Sequence, residues 1–101
     1  MTTHARPCLG HCPPHEPLSP DAEQVTWQNA EPARFARDPR VLDWTCECRL
    51  IIYEKTTCAG VYWIRRTDRT NPHHLVISET CPGGIEEINS LWEKIVSGAA
   101  V

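Results

Sequence analysis

Six cysteines and five histidines in 101 residues are the side chains of this chain with the widest chemical reach. The run Cys8-Leu-Gly-His-Cys12-Pro-Pro-His15 gathers thiols and imidazoles within eight positions. Zinc takes such ligands in tetrahedral sets, most often as two spaced pairs. Cys46 and Cys48 lie two apart, so on a strand they share a face and could chelate together. Cys8, Cys12, Cys46 and Cys48 thus make one zinc hypothesis, a CxxxC pair with a CxC pair. The spacing matches no standard zinc pattern. Free cysteine is also a common small core residue, and the Pro-rich, apolar-poor run around Cys8 and Cys12 reads equally as a flexible tail with incidental thiols. Cys58 cannot join that set if a regular hairpin follows Cys48, because ten extended residues span roughly 30 Å. It is expected instead near Cys81.

Other chemistries find less support. Tyr62-Trp-Ile-Arg-Arg-Thr-Asp-Arg69 mixes aromatics with arginines, as nucleic-acid surfaces do. On a strand, however, Tyr62 and Trp63 alternate faces, as do Arg65 and Arg66, so ion pairing with Glu47 or Glu79 is the simpler expectation. His73 and His74 sit in a polar turn without a local carboxylate or thiol. Ser78 and Ser90 lack any nucleophile motif, and Gly83-Gly84 is followed by Glu86 and Glu87, a poor anion cradle. The expectation is a protein that is not an enzyme, with no cofactor and no nucleic-acid partner.

The elements that must position these residues are few. Trp44 to Tyr53 has strand composition, Val61 to Arg66 is a second strand, and His74 to Ser78 is a short third one, expected at an edge. Ile85, Ile88, Leu91, Trp92 and Ile95 repeat at helical spacing, with acids in the first turn, Lys94 near the end and Gly98 as a stop. The reading is an α+β domain, a three-stranded antiparallel sheet with a C-terminal amphipathic helix, over residues 41–98. Before it come a Pro/Cys/His-containing flexible tail (1–19) and a weakly helical linker (20–40), the latter opened by the Ser19-Pro20 helix-start pair.

The formal net charge of −3 argues against bulk binding to nucleic acid or an anionic membrane. No apolar run is long enough to span a bilayer and the first residues lack a signal-peptide core, so a cytoplasmic location with reduced thiols is expected. One sheet face would carry Trp44, Cys46, Cys48, Leu50 and Ile52 towards the helix. The other keeps Ile51 and Tyr53, and one helix cannot cover both. Either Val25, Trp27 and Phe35 cover the second face, or another protein or a second copy of the chain does. Ile51, Tyr53, Tyr62 and Trp63 are the residues expected on that interaction surface.

The order Trp63-Ile-Arg-Arg-Thr-Asp-Arg-Thr-Asn-Pro72, a strand, and a helix ending Leu91-Trp-Glu-Lys-Ile-Val-Ser-Gly98 resembles a family of small actinobacterial proteins. These are of unknown function and encoded beside helix-turn-helix regulators. The resemblance covers roughly the last forty residues and implies a regulatory partner protein. This chain differs in having Pro-Gly-Gly before the helix, where the family has an aromatic, and in its extra cysteines. Together these readings favour a small non-enzymatic interaction or regulatory module, with a zinc-binding protein contacting nucleic acid as the alternative.

Overall fold

A computed structural model describes residues 18–30, 39–45 and 49–101. The fold is α+β, as expected, but its antiparallel sheet has five strands rather than three, in the order β1-β5-β4-β3-β2. They are β1 (Gln28–Asn29), β2 (Arg40–Trp44), β3 (Ile51–Cys58), β4 (Val61–Asp68) and β5 (Val76–Glu79), followed by the helix α1 (Ile85–Val96).

The centre of the sheet is the β3–β4 hairpin, paired without interruption from Ile51↔Asp68 to Cys58↔Val61. Lys55-Thr-Thr-Cys58, read from sequence as a connection, is strand. Its threonines are β-branched and suit a pleated surface, and Thr56 is fully buried. The turn is only Ala59-Gly60, both with positive φ (53° and 82°). A two-residue turn of that hand matches the twist of the flanking strands. Trp44, in turn, does not continue into β3. It ends β2, which folds back antiparallel on β3 with Trp44 opposite Glu54 and a bulge between Val41 and Asp43. Thr45 closes the junction: its N–H donates to the Tyr53 carbonyl (2.9 Å) and its hydroxyl accepts the Tyr53 N–H (3.0 Å).

The third predicted strand is not an edge. β5 lies between β4 and β1, with Glu79 opposite both Arg65 and Gln28. Beyond β5, Pro82 can offer no N–H to a ladder. The chain bulges there and rejoins β4 at Gly83, which exchanges two hydrogen bonds with Tyr62 (2.8 and 2.9 Å). The Thr80 hydroxyl covers the gap by accepting the Ile64 N–H at 3.0 Å.

The helix follows its sequence signals closely. Ile88, Trp92 and Ile95 are buried, acids occupy the first turn and Lys94 the last. It stops in a Schellman motif: Gly98 adopts positive φ (82°), its N–H reaches the Ile95 carbonyl, and the Ala99 N–H reaches Lys94 (2.7 Å). The chain then runs parallel to residues 23–25. Glu23 N–H donates to Ala99 O, Val101 N–H to Glu23 O, and Val25 N–H to Val101 O, at 2.8 to 2.9 Å.

The core between helix and sheet is Tyr53, Ile64, Ile88, Trp92, Ile95 and Ala100, flanked by Val25, Trp27, Ile51, Tyr62, Leu91 and Val96. The helix-facing side of β3 is therefore Ile51 and Tyr53, the reverse of the sequence expectation, and Leu50 is 61% exposed. The reversal has a simple cause: the apolar alternation from Trp44 was counted through a chain reversal, where strand parity is lost. Residues 20–30 hold no helix. Ser19 and Pro20 instead make one turn, with the Ala22 N–H donating to the Ser19 carbonyl at 3.0 Å.

Candidate interaction surface

The four residues expected on one interaction surface do not form one. Tyr53 and Ile51 face the helix, as does Tyr62, which lies opposite Thr57. Trp63 points to the other face. Tyr53 and Trp63 are 4% and 1% exposed, so neither contributes surface. Trp27 packs on the face that carries Ile51 and Tyr53, as one expectation had it, but the helix lies on that face too; the Trp27 ring is 5.9 Å from Tyr53 and under the Arg66 guanidinium. The far face is nonetheless covered over its central rows, where Thr56, Trp63 and Glu79 are all buried. Phe35, and the zinc candidates Cys8, Cys12, Cys46 and Cys48, lie outside the described residues.

Charge on the sheet follows the strand alternation. Arg65 reaches Glu79 on the far face (3.3 Å), where the buried carboxylate also accepts the Trp63 indole N–H at 3.0 Å. Arg66 turns to the helix side, against Trp27 and 3.8 Å from Asp68. The Asp68 carboxylate accepts the side-chain hydroxyl and the backbone N–H of Thr70 (2.6 and 2.9 Å). Those hydrogen bonds, the hydroxyl first, hold its pKa below the ordinary carboxylate value, with a smaller contribution from Arg66.

The thiols do not meet. Cys58 belongs to β3 and Cys81 follows β5, so β4 lies between them, at about 10 Å for two strand spacings. Neither is in a disulfide; Cys58 is buried, and exposed Cys81 accepts a hydrogen bond from the Gln28 amide at 2.8 Å. Among the described residues no group of three or more His, Cys, Asp or Glu side chains converges as a metal site would. His73 and His74 are exposed in a turn built on Asn71, which accepts both of their backbone N–H groups.

Among the described residues two shallow depressions can be named. One, of about 630 Å³, lies at the hairpin end and is lined by Arg40, Leu42, Thr57, Cys58, Tyr62 and Ile85, among others. The other, of about 300 Å³, runs between residues 23–26 and the helix and is lined by Cys81, Glu23 and Glu87 among others. Among the described residues neither lining includes a histidine that could pair with the thiol as a base.

What the surface does offer is apolar. Leu50, Leu75 and Ile77 are 61%, 54% and 40% exposed. Register places them together. Thr67 is opposite Ile52 on one side and Ile77 on the other, and one row further the Arg69 N–H donates to the Leu50 carbonyl. Alternation from Ile77 puts Leu75 on the same face, across Arg69 from Leu50. The result is an apolar patch spanning the β3, β4 and β5 ends, with Val76 (38% exposed) beside it on the helix side. Sequence reasoning missed it because His74 to Ser78 reads only as a short edge strand, with no statement of which side chains it leaves exposed. Three consecutive apolar residues flanked by a polar turn were the available signal.

No helix among the described residues is long and apolar enough to cross a membrane. The chain matches no protein-family model, no curated protein and no solved structure with which it was compared.

Proposed function

We propose that this chain is a small non-enzymatic interaction module that docks a regulatory partner protein on the Leu50–Leu75–Ile77 end of its sheet. The observation that carries the reading is the exposure of those three large side chains on one face, in a domain that otherwise buries its β3 and β4 apolar residues well. Neighbouring exposed apolar groups such as Leu75 and Ile77, with Leu50 across Arg69 from them, mark interaction sites more often than isolated ones do. The resemblance of the last forty residues to proteins encoded beside regulators points the same way.

Magnitude sets the character of the contact. Fully burying a leucine or isoleucine contributes about 1.5–3 kcal/mol, and roughly half of that remains available at each of the three positions. The total, about 3 kcal/mol, is below the several kcal/mol that association costs in lost freedom. Apolar contact alone therefore gives no stable complex. Polar or charged groups around the patch must add to it, and the association is reversible.

The test is affinity enrichment from the native cell extract with the wild-type chain and a Leu75→Asp/Ile77→Asp variant, both checked for native circular dichroism. A partner retained by the wild type and lost by the variant supports the reading. Recovery of the same proteins by both chains, or of none by either, rejects it.

A further inference from the structure

The hairpin end of the sheet, away from Leu50, Leu75 and Ile77, carries the depression of about 630 Å³. That volume lies within the range of small-molecule sites. Strand register explains its floor. Arg40 lies opposite Thr57, and Thr57 opposite Tyr62, so the three form one row across β2, β3 and β4. Residues directly opposite each other share a face, and Tyr62 packs on the helix side. The row therefore faces the start of α1. Ile85 at the helix start, Leu42 and the Ala59-Gly60 turn complete the lining. Ile85 and Leu42 are 48% and 40% exposed.

The polar groups of this lining include donors without acceptors. The Thr57 hydroxyl is engaged within the hairpin, donating to the Val61 carbonyl at 2.9 Å. The Arg40 guanidinium and the Tyr62 hydroxyl have no hydrogen-bond or ion-pair partner among the described residues. Arg40 is exposed, and the Tyr62 hydroxyl is open to solvent. Among the described residues no carboxylate lines the depression. Glu87 sits over Gly83 and lines the other depression instead, and Glu86 is exposed outside both linings. Asp43, further along β2, accepts the Trp44 N–H at 2.9 Å and lies opposite Lys55.

We propose that this depression binds a small organic carboxylate with an apolar body. The carboxylate takes the Arg40 guanidinium, with the Tyr62 hydroxyl as a second donor, and the carbon skeleton covers Leu42 and Ile85. Two strand spacings set the Arg40 and Tyr62 backbones about 10 Å apart, a gap that a carboxylate between two long side chains can bridge. A guanidinium matches a planar carboxylate with two parallel hydrogen bonds. One guanidinium beside two aliphatic side chains suits a single negative charge on an apolar body. A bare phosphate would leave Leu42 and Ile85 in water. The site stands apart from the docking surface at the other end of the sheet and does not depend on it.

The experiment titrates the full isotope-labelled chain with hexanoate, hexanamide and inorganic phosphate at neutral pH while amide resonances are followed. For a ligand of about eight non-hydrogen atoms in an open site, hexanoate should saturate with a Kd of about 1 mM. Its shifts should concentrate at residues 40–42, 57–62 and 84–85. Hexanamide keeps the shape and loses the charge, and should bind at least about tenfold more weakly, as should phosphate. Arg40→Gln should bring hexanoate down to the level of hexanamide, and Arg40→Lys should recover part of the difference. Tyr62→Phe should weaken hexanoate about threefold. Spectral dispersion of each free variant shows whether it is folded, and the comparison of the three probes on the unaltered chain holds even where a variant is not. Equal binding of hexanoate and hexanamide overturns the choice of an anion. Phosphate binding as tightly as hexanoate overturns the apolar body in favour of a bare anion site. Unchanged hexanoate affinity in folded Arg40→Gln, shifts elsewhere, or no saturation by about 20 mM overturns the site itself.

Discussion

Asp68 shows how much a single side chain can set here. Its carboxylate is held in the charged form chiefly by the Thr70 hydroxyl. Because its folded pKa lies below the ordinary value of about 3.9, its contribution to stability is complete above that pH and is lost as pH falls through the folded pKa. Thr70→Val removes the main cause and should raise the Asp68 pKa, shifting the acid limit of the Asp68–Thr70 turn upwards; a carboxyl-carbon NMR titration measures it directly. Glu79 is the buried counterpart. Glu79→Ala strips an acceptor from the Trp63 indole and a charge from Arg65, and should cost about 2–4 kcal/mol in urea unfolding. Glu79→Gln, which keeps an acceptor oxygen, should cost less. Pairing of the β4 arginines with Glu79 was one of two sequence expectations, the other being Glu47, with neither arginine singled out. The indole bond was not legible, because it needs Trp63 and Glu79 on one face of neighbouring strands, and that register depends on where β5 begins.

At the level of elements, the helix was legible and the strands only partly. Five apolar residues at helical spacing, acids first, lysine last and a glycine stop all point to one answer, and Ile85–Val96 follows. The hairpin was harder because Ala59-Gly60 is a poor turn signal: alanine is not a residue that favours positive φ. Ala59→Asn would supply the preferred Asn-Gly turn and should raise unfolding stability by about 0.5–1 kcal/mol, read from the thermal midpoint. A negative result would show that Ala59 carries no strain. β2 escaped notice because Thr45 closes a chain reversal with its hydroxyl, a role that no local composition announces. The same reversal flipped the assignment of faces, and with it the interaction surface first expected at Tyr53 and Trp63.

For the whole molecule, the α+β class and the C-terminal helix were readable, whereas the edges were not. Gln28–Asn29 is too short to register as a strand by periodicity, yet it extends the sheet beyond β5. The candidate surface was hidden for a related reason: exposure of Leu75 and Ile77 is a property of what the rest of the chain fails to cover. Since these side chains are already half in water, Leu75→Ser should change stability by no more than about 0.5 kcal/mol in urea unfolding. Ala100, 2% exposed and in the core, is the contrasting case. Ala100→Asp buries a charge without a partner and should cost 3 kcal/mol or more, on the order of the largest single-site effects.

Ala100 lies in the parallel pairing of residues 23–25 with 99–101, and that pairing bears on the order in which the molecule assembles and opens. A two-residue hairpin such as β3–β4 can close in about 1–10 μs, because its partners are neighbours in the chain. The 23–25 and 99–101 segments are joined through most of the sequence, so closing them carries one of the largest loop entropies among the described contacts. They zip last and come apart first. Each opening lifts Ala100 off Ile95 and Trp92 while the sheet stays intact, a local fluctuation that amide hydrogens of Val25 and Val101 would report well ahead of those in β3 and β4.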